Sequence, residues 1–239
     1  MAVKKKISVI MPAYNAGKTL RRTYDDLPMG IIDDVILVDD ASQDDTVAVA
    51  KTLLIHVVEH KKNLGYGGNQ KTCYKTALER GADIIVMVHP DHQYDPKFIP
   101  GMVDLMVKNN VWAVFGSRMQ NRRTALAGGM PWWKFFFNII LTKLGNLFLG
   151  TNLTEFHSGF RAYDRRVFTK IDISKNSNDF IFDTQIIIQL VAADISIAEI
   201  PITTRYFDEA SQINFRRSVV YGSSLLWNIF AYRLGLKKF

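Results

Sequence analysis

Short apolar runs alternate with amphipathic segments along the first half of the chain. Each run is rich in β-branched side chains and is followed by turn residues, which predicts buried strands. The predicted strands are residues 7–11, 35–38, 55–58, 84–88 and 111–115. Helices are predicted over residues 17–27, 44–54 and 97–109, and a Gly-rich loop at 63–68 opens a further helix that runs to residue 80. This alternation predicts an α/β fold, with a mostly parallel central sheet and helices on both faces.

The pattern changes after residue 117. The elements predicted beyond that point are an amphipathic aromatic stretch to about residue 149, a polar turn at 157–161, an apolar helix at 180–192, a strand pair at 195–206 and an amphipathic helix at 218–236. We expect one domain over residues 1–215. The amphipathic C-terminal segment, residues 216–239, would contact a membrane or a second copy of the chain.

Polar residues follow the predicted strands at the points where the strands end. They lie at residues 12–15, 39–40, 60–63 and 89–95. Because parallel strands place their carboxyl ends at one edge of the sheet, these residues would share a crevice. The sequence therefore predicts a site that combines carboxylates, imidazoles and backbone amides.

Two of these strand ends have more than one interpretation. Asp39 and Asp40 would either cap the next helix or accept hydrogen bonds from a nucleobase or a ribose. Residues 65–68 (Gly-Tyr-Gly-Gly) would form a helix-entry turn or bring backbone amides close to a phosphate. Position 70 is Gln, so the dinucleotide pattern GxGxxG is not met, and the sequence has no GxxxxGK[ST]. A nicotinamide dehydrogenase and a P-loop enzyme are therefore disfavoured.

The segment His89 to Asp95 has side chains able to ligate a cation at alternate positions. Asp95 suits a helix cap before Pro96, but a polar loop explains the other residues poorly. We therefore predict that this segment binds a metal ion or a diphosphate. Asp91 is the main candidate ligand, because Mg²⁺ and Mn²⁺ prefer oxygen donors.

Composition and charge indicate where along the chain an anionic partner would bind. The net charge is +7, with 48% hydrophobic and 22% charged residues, which is typical of a chain with a buried core and excludes disorder. One cysteine excludes a disulfide framework. Residues 105–154 and 210–239 together hold eleven basic residues, no acidic residue and half of the aromatic ones. This pattern favours helices in a membrane interface, and packing on the sheet or in a dimer is the alternative.

Six motifs occur in the order found in the family 2 glycosyltransferases. They are residues 10–15 (Ile-Met-Pro-Ala-Tyr-Asn), 38–42 (Val-Asp-Asp-Ala-Ser), 63–68 (Asn-Leu-Gly-Tyr-Gly-Gly), 89–93 (His-Pro-Asp-His-Gln), 116–118 (Gly-Ser-Arg) and 158–161 (Ser-Gly-Phe-Arg). The chain most resembles the branch that contains dolichol-phosphate mannose synthase and bacterial polyprenyl-phosphate sugar transferases. The resemblance covers residues 6 to about 215 and implies a GT-A type fold with inverting, metal-dependent transfer.

The resemblance also implies a role for particular residues. The nucleotide-binding half would be residues 1–117 and the acceptor half residues 118–215. The nucleotide-sugar would contact Pro12, Tyr14, Asn15, Val38, Asp39, Asp40, Gly68, His89 and Pro90. The divalent cation, Mg²⁺ or Mn²⁺, would be held by Asp91, Gln93 and His89, and the acceptor phosphate by Arg118, Arg161 and Arg205. The catalytic residues would be Asp91, Arg118 and Asp183.

Several positions depart from the family pattern. Ala16 stands where an acid is usual, and His89-Pro90-Asp91 replaces an Asp-x-Asp pair, so that His89 would either ligate the metal or donate to a phosphate. Tyr206 and Gln212 replace an Arg and a Lys. If the acceptor is a hydroxyl, a general base is needed, and Asp183 is the candidate, with orientation of its own helix as the alternative. His157 has the same two interpretations.

The function expected from these features is transfer of a hexose, with inversion, from a UDP- or GDP-sugar to a polyprenyl phosphate. The enzyme would lie peripherally at the cytoplasmic membrane face, with a homodimer or a membrane protein as a further partner. Nucleic acid is not expected, because no nucleic-acid motif accompanies the basic aromatic segments. The alternatives are transfer to a hydroxyl of a glycan or glycolipid, and a catalytically silent protein that binds nucleotide-sugars.

Overall fold

A seven-stranded mixed sheet forms the centre of the molecule. The computed structural model describes residues 4–205 and 215–236, and gives side chains for all of these except residues 124 and 215–219. The strands are β1 (Ile7–Ala13), β2 (Asp34–Asp39), β3 (His56–Glu59), β4 (Ile84–Met87), β5 (Ala113–Ser117), β6 (Arg161–Asp164) and β7 (Ile197–Pro201). Their order across the sheet is β3-β2-β1-β4-β6-β5-β7. The five strands predicted in the first half of the chain are confirmed.

Strand β6 differs from the prediction. It is antiparallel to both of its neighbours, β4 and β5, whereas the other pairs in the sheet are parallel. The sequence analysis ended the polar turn at Arg161 and predicted no strand there. The predicted strand pair over residues 195–206 is also wrong in part, since β7 is followed only by an isolated bridge between Thr204 and Tyr94.

Helices cover both faces of the sheet, as predicted. They are α1 (Gly17–Asp25), α2 (Thr46–Lys51), α3 (Tyr66–Glu79), α4 (Ile99–Asn109), α5 (Arg122–Ala127), α6 (Trp132–Leu149), α7 (Phe182–Ala192) and α8 (Phe215–Arg233). Side chains alternate along each strand between two cores. Val9 and Met11 of β1 pack with Leu20 and Met102 from α1 and α4, whereas Ile10 packs with Tyr74 and Ile186 from α3 and α7.

Helix α6 has an unusual distribution of polarity. Its inward face carries Asn138, Thr142 and Gly145, all buried. Its outward face carries large apolar side chains, and Trp132 and Leu147 remain 78% and 74% exposed. A helix of a globular protein normally places apolar residues inward and polar ones outward. The outward face of α6 therefore has the composition of a surface that contacts another apolar phase.

Helix α8 packs against α6, where Gly222 approaches Leu141. Leu225 and Ile229 of α8 are fully buried in the core beside α3 and α7. Its outward face again carries large apolar side chains, among them Trp227, which is 61% exposed. Within residues 4–205 and 215–236, none of the helices has the length and apolar character that crossing a bilayer requires. The predicted division at residue 215 stays a prediction.

Candidate active site at the carboxyl edge of the sheet

The loops that follow β1 and β2 are bonded to each other. Asn15 has a left-handed backbone (φ 52°), and its Oδ1 atom accepts a hydrogen bond from the Gln43 backbone N–H at 2.8 Å. Ser42 donates to Asp39 through its backbone N–H, at 3.0 Å, and through its hydroxyl. Tyr14, beside Asn15, is 53% exposed. These hydrogen bonds hold the two loops together. The exposed ring of Tyr14 beside them is suited to stacking on a base.

Asp40 organises the loop that follows β3. Its carboxylate accepts hydrogen bonds from the backbone N–H groups of Leu64 (2.8 Å) and Gly65 (3.0 Å) and lies 2.8 Å from His60 Nδ1. The interpretation of Asp39 and Asp40 as caps of α2 is wrong, because Asp44 accepts from the first backbone N–H of that helix, at 3.0 Å. Contact of Asp40 with a nucleoside stays a prediction.

Pro12 and Val38 lie side by side in the register of β1 and β2. Both are buried, and Val38 belongs to the larger core. Asn69 of α3 donates to the carbonyl oxygens of Ala13 (3.1 Å) and Val38 (3.0 Å), so it joins the ends of the two strands. The Val38 side chain faces the core, so only its backbone is available to a donor, and the predicted contact of Val38 stays a prediction.

The N-terminus of α3 is closed by protein. The backbone N–H groups of Gly67 and Gly68 donate to the Asn178 carbonyl oxygen at 2.8 and 3.4 Å. A Cβ atom at Gly67 would lie 2.3 Å from the Ser177 carbonyl oxygen, and one at Gly68 would lie 2.8 Å from Leu64 Cβ. Gly67 is therefore required for packing against residues 177–178, and Gly68 for packing against Leu64. The predicted approach of a phosphate to this turn, and with it the donor contact of Gly68, does not fit this arrangement.

Tyr66 connects three parts of the predicted site. Its hydroxyl donates to Asp183 Oδ2 at 2.7 Å and lies 3.3 Å from His89 Nε2, and its ring stacks on the His89 ring with centroids 5.6 Å apart. Since the single hydroxyl proton goes to Asp183, His89 Nε2 is the donor in the longer contact, which leaves Nδ1 as the nitrogen able to bind a cation. Burial, together with the charge of Asp183, raises the pKa of Tyr66 well above its usual value.

Asp91 is the residue of this loop best suited to a divalent cation. Its Oδ1 atom accepts from the Gln93 backbone N–H at 3.1 Å, and burial raises the pKa of its carboxyl. Among the described residues, no cluster of three or more His, Cys, Asp or Glu side chains could enclose a metal ion. One carboxylate nonetheless fits Mg²⁺ or Mn²⁺, because such ions often take one or two protein carboxylates and complete their shell with substrate phosphates and water. Pro90 is held in place by Thr19, whose hydroxyl donates to its carbonyl oxygen at 2.7 Å.

Arg205 is paired with protein groups. Its Nη1 atom donates to Asp26 at 3.3 Å and lies 2.8 Å from His92 Nε2, and its Nη2 atom donates to Asp95 at 3.3 Å. Asp95 also caps the short 3-10 helix that starts at Pro96, as predicted. Arg205 keeps an exposed guanidinium beside these two carboxylates, and its role as an acceptor-phosphate ligand stays a prediction. Tyr206 and Gln212 lie outside the described residues.

Arg118, at the end of β5, is fixed by Glu155. The Glu155 carboxylate accepts from the Arg118 backbone N–H at 2.8 Å, from Nε at 2.8 Å and from Nη2. Burial alone would raise the pKa of Glu155, but the charge and hydrogen bonds of Arg118 lower it overall. The chain neighbours of this pair, residues 119–123 and Thr154, line an open groove of about 690 Å³. Arg118 therefore lies beside a groove that also presents Arg122 and Arg123.

Arg161 has a different environment from the one predicted. It is fully buried and donates to the carbonyl oxygens of Ser158 (2.8 Å), Asp183 (2.9 Å) and Phe156 (3.0 Å). Its guanidinium also lies over the Phe115 ring, 4.5 Å from the centroid. The assignment of Arg161 to the acceptor phosphate is incompatible with this burial, since the guanidinium has no exposed surface. Its position instead orients the start of α7 and Asp183.

His157 is buried beside α8. Its Nδ1 atom lies 3.1 Å from the Tyr221 hydroxyl, which is also 3.2 Å from the Thr184 hydroxyl. Burial lowers the pKa of His157 to about 4, so the imidazole is neutral at pH 7. Among the described residues, its Nε2 atom has no hydrogen-bond partner. The arrangement favours the structural interpretation of His157.

The structure thus brings His89, Asp183 and Arg161 together through Tyr66, and places Arg118 beside a separate groove. Three residues of this network were missed as functional candidates: Tyr66, Glu155 and Asn138. Glu155 had a detectable signal, because it is the first acidic residue after fifty residues that contain none. Asn138 is a polar residue inside an apolar helical pattern. Tyr66 belongs to a recognised motif but had no assigned role.

Comparison with known proteins gives consistent results. The chain is 26% identical to the UDP-N-acetylglucosamine–dolichyl-phosphate N-acetylglucosaminyltransferase of Methanococcus voltae, and the match covers 97% of each chain. It is 29% identical to the undecaprenyl-phosphate mannosyltransferase of Micrococcus luteus, over 83% of each chain. Glucosyl-3-phosphoglycerate synthase from Mycobacterium tuberculosis, solved with Mn²⁺, UDP and product, has a similar fold, with a TM-score of 0.72 at 18% identity over 98% of this chain and 81% of that one.

These results confirm the predicted fold and class of enzyme. The sheet order and the solved structures establish a GT-A-like α/β fold with a mostly parallel sheet. The profile of the family described as Glycosyl transferase family 2 matches residues 8–172, which is more than half of the chain. The chain therefore belongs to glycosyl transferase family 2 and is a glycosyltransferase.

Proposed function

We propose that the protein transfers a hexose, with inversion, from a UDP- or GDP-sugar to a lipid-linked phosphate at the cytoplasmic face of a membrane. The observation that carries the proposal is Arg118, which a buried carboxylate holds beside a groove with Arg122 and Arg123 in its wall. Two arginines in the wall of the groove, with Arg118 next to it in the chain, suit an anionic acceptor. The names of similar proteins, which include dolichyl-phosphate and undecaprenyl-phosphate transferases, support the same acceptor class.

The donor would lie along the carboxyl edge of β1, β2 and β4. Tyr14 would stack on the base, and the loops ordered by Asp39 and Asp40 would surround the nucleoside. Asp91 would hold a divalent cation together with the diphosphate, with Gln93 and His89 beside it. When bound, that cation would stabilise the negative charge that develops on the leaving nucleoside diphosphate.

A phosphate acceptor simplifies the chemistry. Its attacking oxygen is already anionic, so the protein needs no general base and only has to hold that oxygen in line with the sugar carbon. The new bond joins the acceptor oxygen to the anomeric carbon. The bond from that carbon to the diphosphate breaks, and its electron pair leaves with the nucleoside diphosphate. A single displacement of this kind inverts the anomeric configuration.

The outward faces of α6 and α8 support a membrane location. Trp132, Phe136 and Leu147 on α6, and Trp227 and Phe230 on α8, are exposed. Aromatic side chains with nearby lysines and arginines are typical of helices that lie in the headgroup region of a bilayer. An enzyme that uses a lipid acceptor needs such a contact, since the acceptor phosphate stays at the bilayer surface.

The test is a product assay. The purified protein is incubated with UDP- and GDP-sugars, Mn²⁺ or Mg²⁺, and either polyprenyl phosphate or hydroxyl acceptors. We expect a lipid product that survives mild base and is cleaved by mild acid, and we expect a chelator to prevent its formation. Transfer to hydroxyl acceptors alone would overturn the proposal. Nucleotide binding without transfer or donor hydrolysis would instead indicate a catalytically silent protein.

A hydroxyl acceptor is the second candidate, and one observation favours it. The Asp183 carboxylate is buried close to His89, and among the described residues its Oδ1 atom has no hydrogen-bond partner. Such an oxygen could accept a proton from a hydroxyl. Asp183→Asn separates the two candidates when rates are compared at equal folded fractions. Transfer to a hydroxyl would fall by about 100-fold or more, whereas transfer to a phosphate would change by less than about tenfold.

A further inference from the structure

Arg118 is held more firmly than a surface arginine. An arginine side chain has many rotamers, and ordering it in one geometry costs free energy each time a ligand binds. Here one carboxylate fixes the backbone N–H, Nε and Nη2 of the same residue. The side chain of Glu155 is fully buried, whereas that of Arg118 is 12% exposed. The pair therefore has one fully buried member, Glu155, and one member, Arg118, that keeps a small exposed surface next to residues of the groove wall.

Glu155 is itself fixed from two directions. Asn138, on the inward face of α6, donates through Nδ2 to Glu155 Oε1 at 2.8 Å. Glu199 of β7 accepts from the Glu155 backbone N–H at 3.1 Å and from the Thr154 backbone N–H at 2.7 Å. Thr154 lines the groove. Glu155 thus connects helix α6 through its carboxylate and strand β7 through its backbone N–H, and Thr154 beside it lies in the groove wall.

We propose that Glu155 is a positioning residue for Arg118, and that Asn138 makes the position of Arg118 depend on helix α6. The proposal rests on the proposed function, in which Arg118 contacts the acceptor phosphate. Glu155 does not touch the substrate. It orients the guanidinium before the acceptor arrives, so that less conformational freedom is lost on binding.

The role of Asn138 follows from the polarity of α6. The outward face of this helix is apolar and exposed, and the inward face presents an amide to the buried carboxylate. Thr142, one turn later, donates to Asn138 Oδ1 at 3.2 Å and sets the orientation of that amide. The position of α6 therefore sets the position of the amide that is bonded to Glu155. Docking of α6 on a surface would order the acceptor side of the site.

A double-mutant cycle tests the positioning role. The full-length variants Glu155→Gln, Arg118→Ala and the double mutant are assayed with the acceptor that the wild-type enzyme uses, and KM is measured for acceptor and donor. We expect Glu155→Gln to raise the acceptor KM by about tenfold, which corresponds to the loss of one charged hydrogen-bonding partner, and to change the donor KM by less than about twofold. In the double mutant the effect should not exceed that of Arg118→Ala, because the two residues act as one unit.

Two more variants distinguish a specific change in the acceptor KM from a general loss of folded protein. Asn138→Ala keeps the charged pair, and we expect it to raise the acceptor KM by about threefold. Glu79→Gln, at an exposed end of α3, is the matched control and should change neither KM. The positioning role would be overturned if the effects of Glu155→Gln and Arg118→Ala on the acceptor KM multiplied in the double mutant. It would also be overturned if the acceptor KM and the donor KM changed equally. If the wild type transfers only to hydroxyl acceptors, the proposed function fails, whereas the cycle still reports whether Glu155 acts through Arg118.

Discussion

The proposed donor side and the proposed acceptor side of the site stabilise their charged groups differently. On the donor side, Asp40 accepts hydrogen bonds from backbone N–H groups of a neighbouring loop. On the acceptor side, Arg118 and Arg161 pair with the buried acids Glu155 and Asp183. Backbone N–H groups stay in place whatever the side chains are, whereas a charged pair requires both of its members. The acceptor side should therefore be more sensitive to single substitutions.

The largest effect is expected from Arg161→Met, compared with Asp40→Asn. The methionine side chain fills a similar volume but leaves three carbonyl oxygens and the Asp183 carboxylate without their partner. Breaking a buried ion pair costs about 3–5 kcal/mol of unfolding free energy, whereas Asp40→Asn should cost about 1–2 kcal/mol. Chemical denaturation of both variants measures the difference. Equal losses would show that the two sides do not differ.

Arg161 also shows where sequence reasoning fails. Arginine is rarely buried, so a turn that contains one is expected at the surface. Strand β6, with the sequence Arg-Ala-Tyr-Asp, has no apolar alternation, yet all four residues are buried between β4 and β5. The reason is tertiary, because carbonyl groups and Asp183 from elsewhere in the chain satisfy the guanidinium. No local pattern records those partners.

The donor side is tested by Asp91→Asn. The amide keeps the size of the side chain but removes the negative charge that a divalent cation requires. We expect turnover to fall by about 100-fold or more, since even indirect partners of a metal ligand are worth 10- to 100-fold. The unfolding free energy should change by less than about 1 kcal/mol, because burial disfavours the charged form of Asp91.

Asp104→Asn, at an exposed position of α4, is the control for this substitution and should retain full turnover. If the Asp91→Asn variant keeps its turnover and its response to Mn²⁺, the metal ion binds at other residues. The measurement needs only initial rates over a range of cation concentrations. It separates loss of the cation from loss of the donor, because the proposed nucleoside contacts lie on other loops.

The third prediction concerns the pH dependence on the acceptor side. Burial lowers the pKa of His157 to about 4, from 6.5 in the unfolded chain. Between these values the unfolded state binds a proton that the folded state excludes, so stability is complete above pH 6.5 and falls as the pH drops towards 4. We expect a loss of about 3 kcal/mol over this window. His157→Gln should remove that part of the slope, as measured by urea unfolding at pH 7.0, 5.5 and 4.5.

Asp164 provides an internal reference for this measurement. Burial opposes ionisation of Asp164, but hydrogen bonds from Arg166 and Lys5 lower its pKa to about 2. Its contribution to stability is therefore lost only below pH 3.8, outside the window of His157. A slope between pH 6.5 and 4 that is the same in His157→Gln as in the wild type would mean that His157 is not the group responsible.

The sequence groups the residues of the proposed donor side more readily than those of the proposed acceptor side, for a physical reason. Strand ends in a parallel sheet meet at one edge, so residues such as Tyr14, Asp40 and Asp91 could be grouped from topology alone. The closure of the α3 N-terminus by Asn178 could not be predicted, since it joins residues more than a hundred positions apart. The partners of Arg118 and Arg161 are long-range in the same way. Local patterns predict which elements form but do not show which charges are already paired.

The smallest effect on folding is expected from substitutions on the outward faces of α6 and α8. These substitutions separate the contribution of the surface to binding from the contribution of the core to stability. Trp132→Ser and Trp227→Ser remove side chains that are 78% and 61% exposed, so the unfolding free energy should change by less than about 0.5 kcal/mol. Each should nonetheless weaken binding to vesicles of equal zwitterionic and anionic lipid by about fivefold, because an interfacial helix gains its affinity from the apolar area that it buries. Leu54→Ser, 94% exposed and outside both helices, is the matched control.

If Leu54→Ser weakens vesicle binding to the same extent, vesicle binding is not located on α6 and α8. Unchanged vesicle binding together with dissociation of a dimer would assign the two outward faces to a second copy of the chain instead.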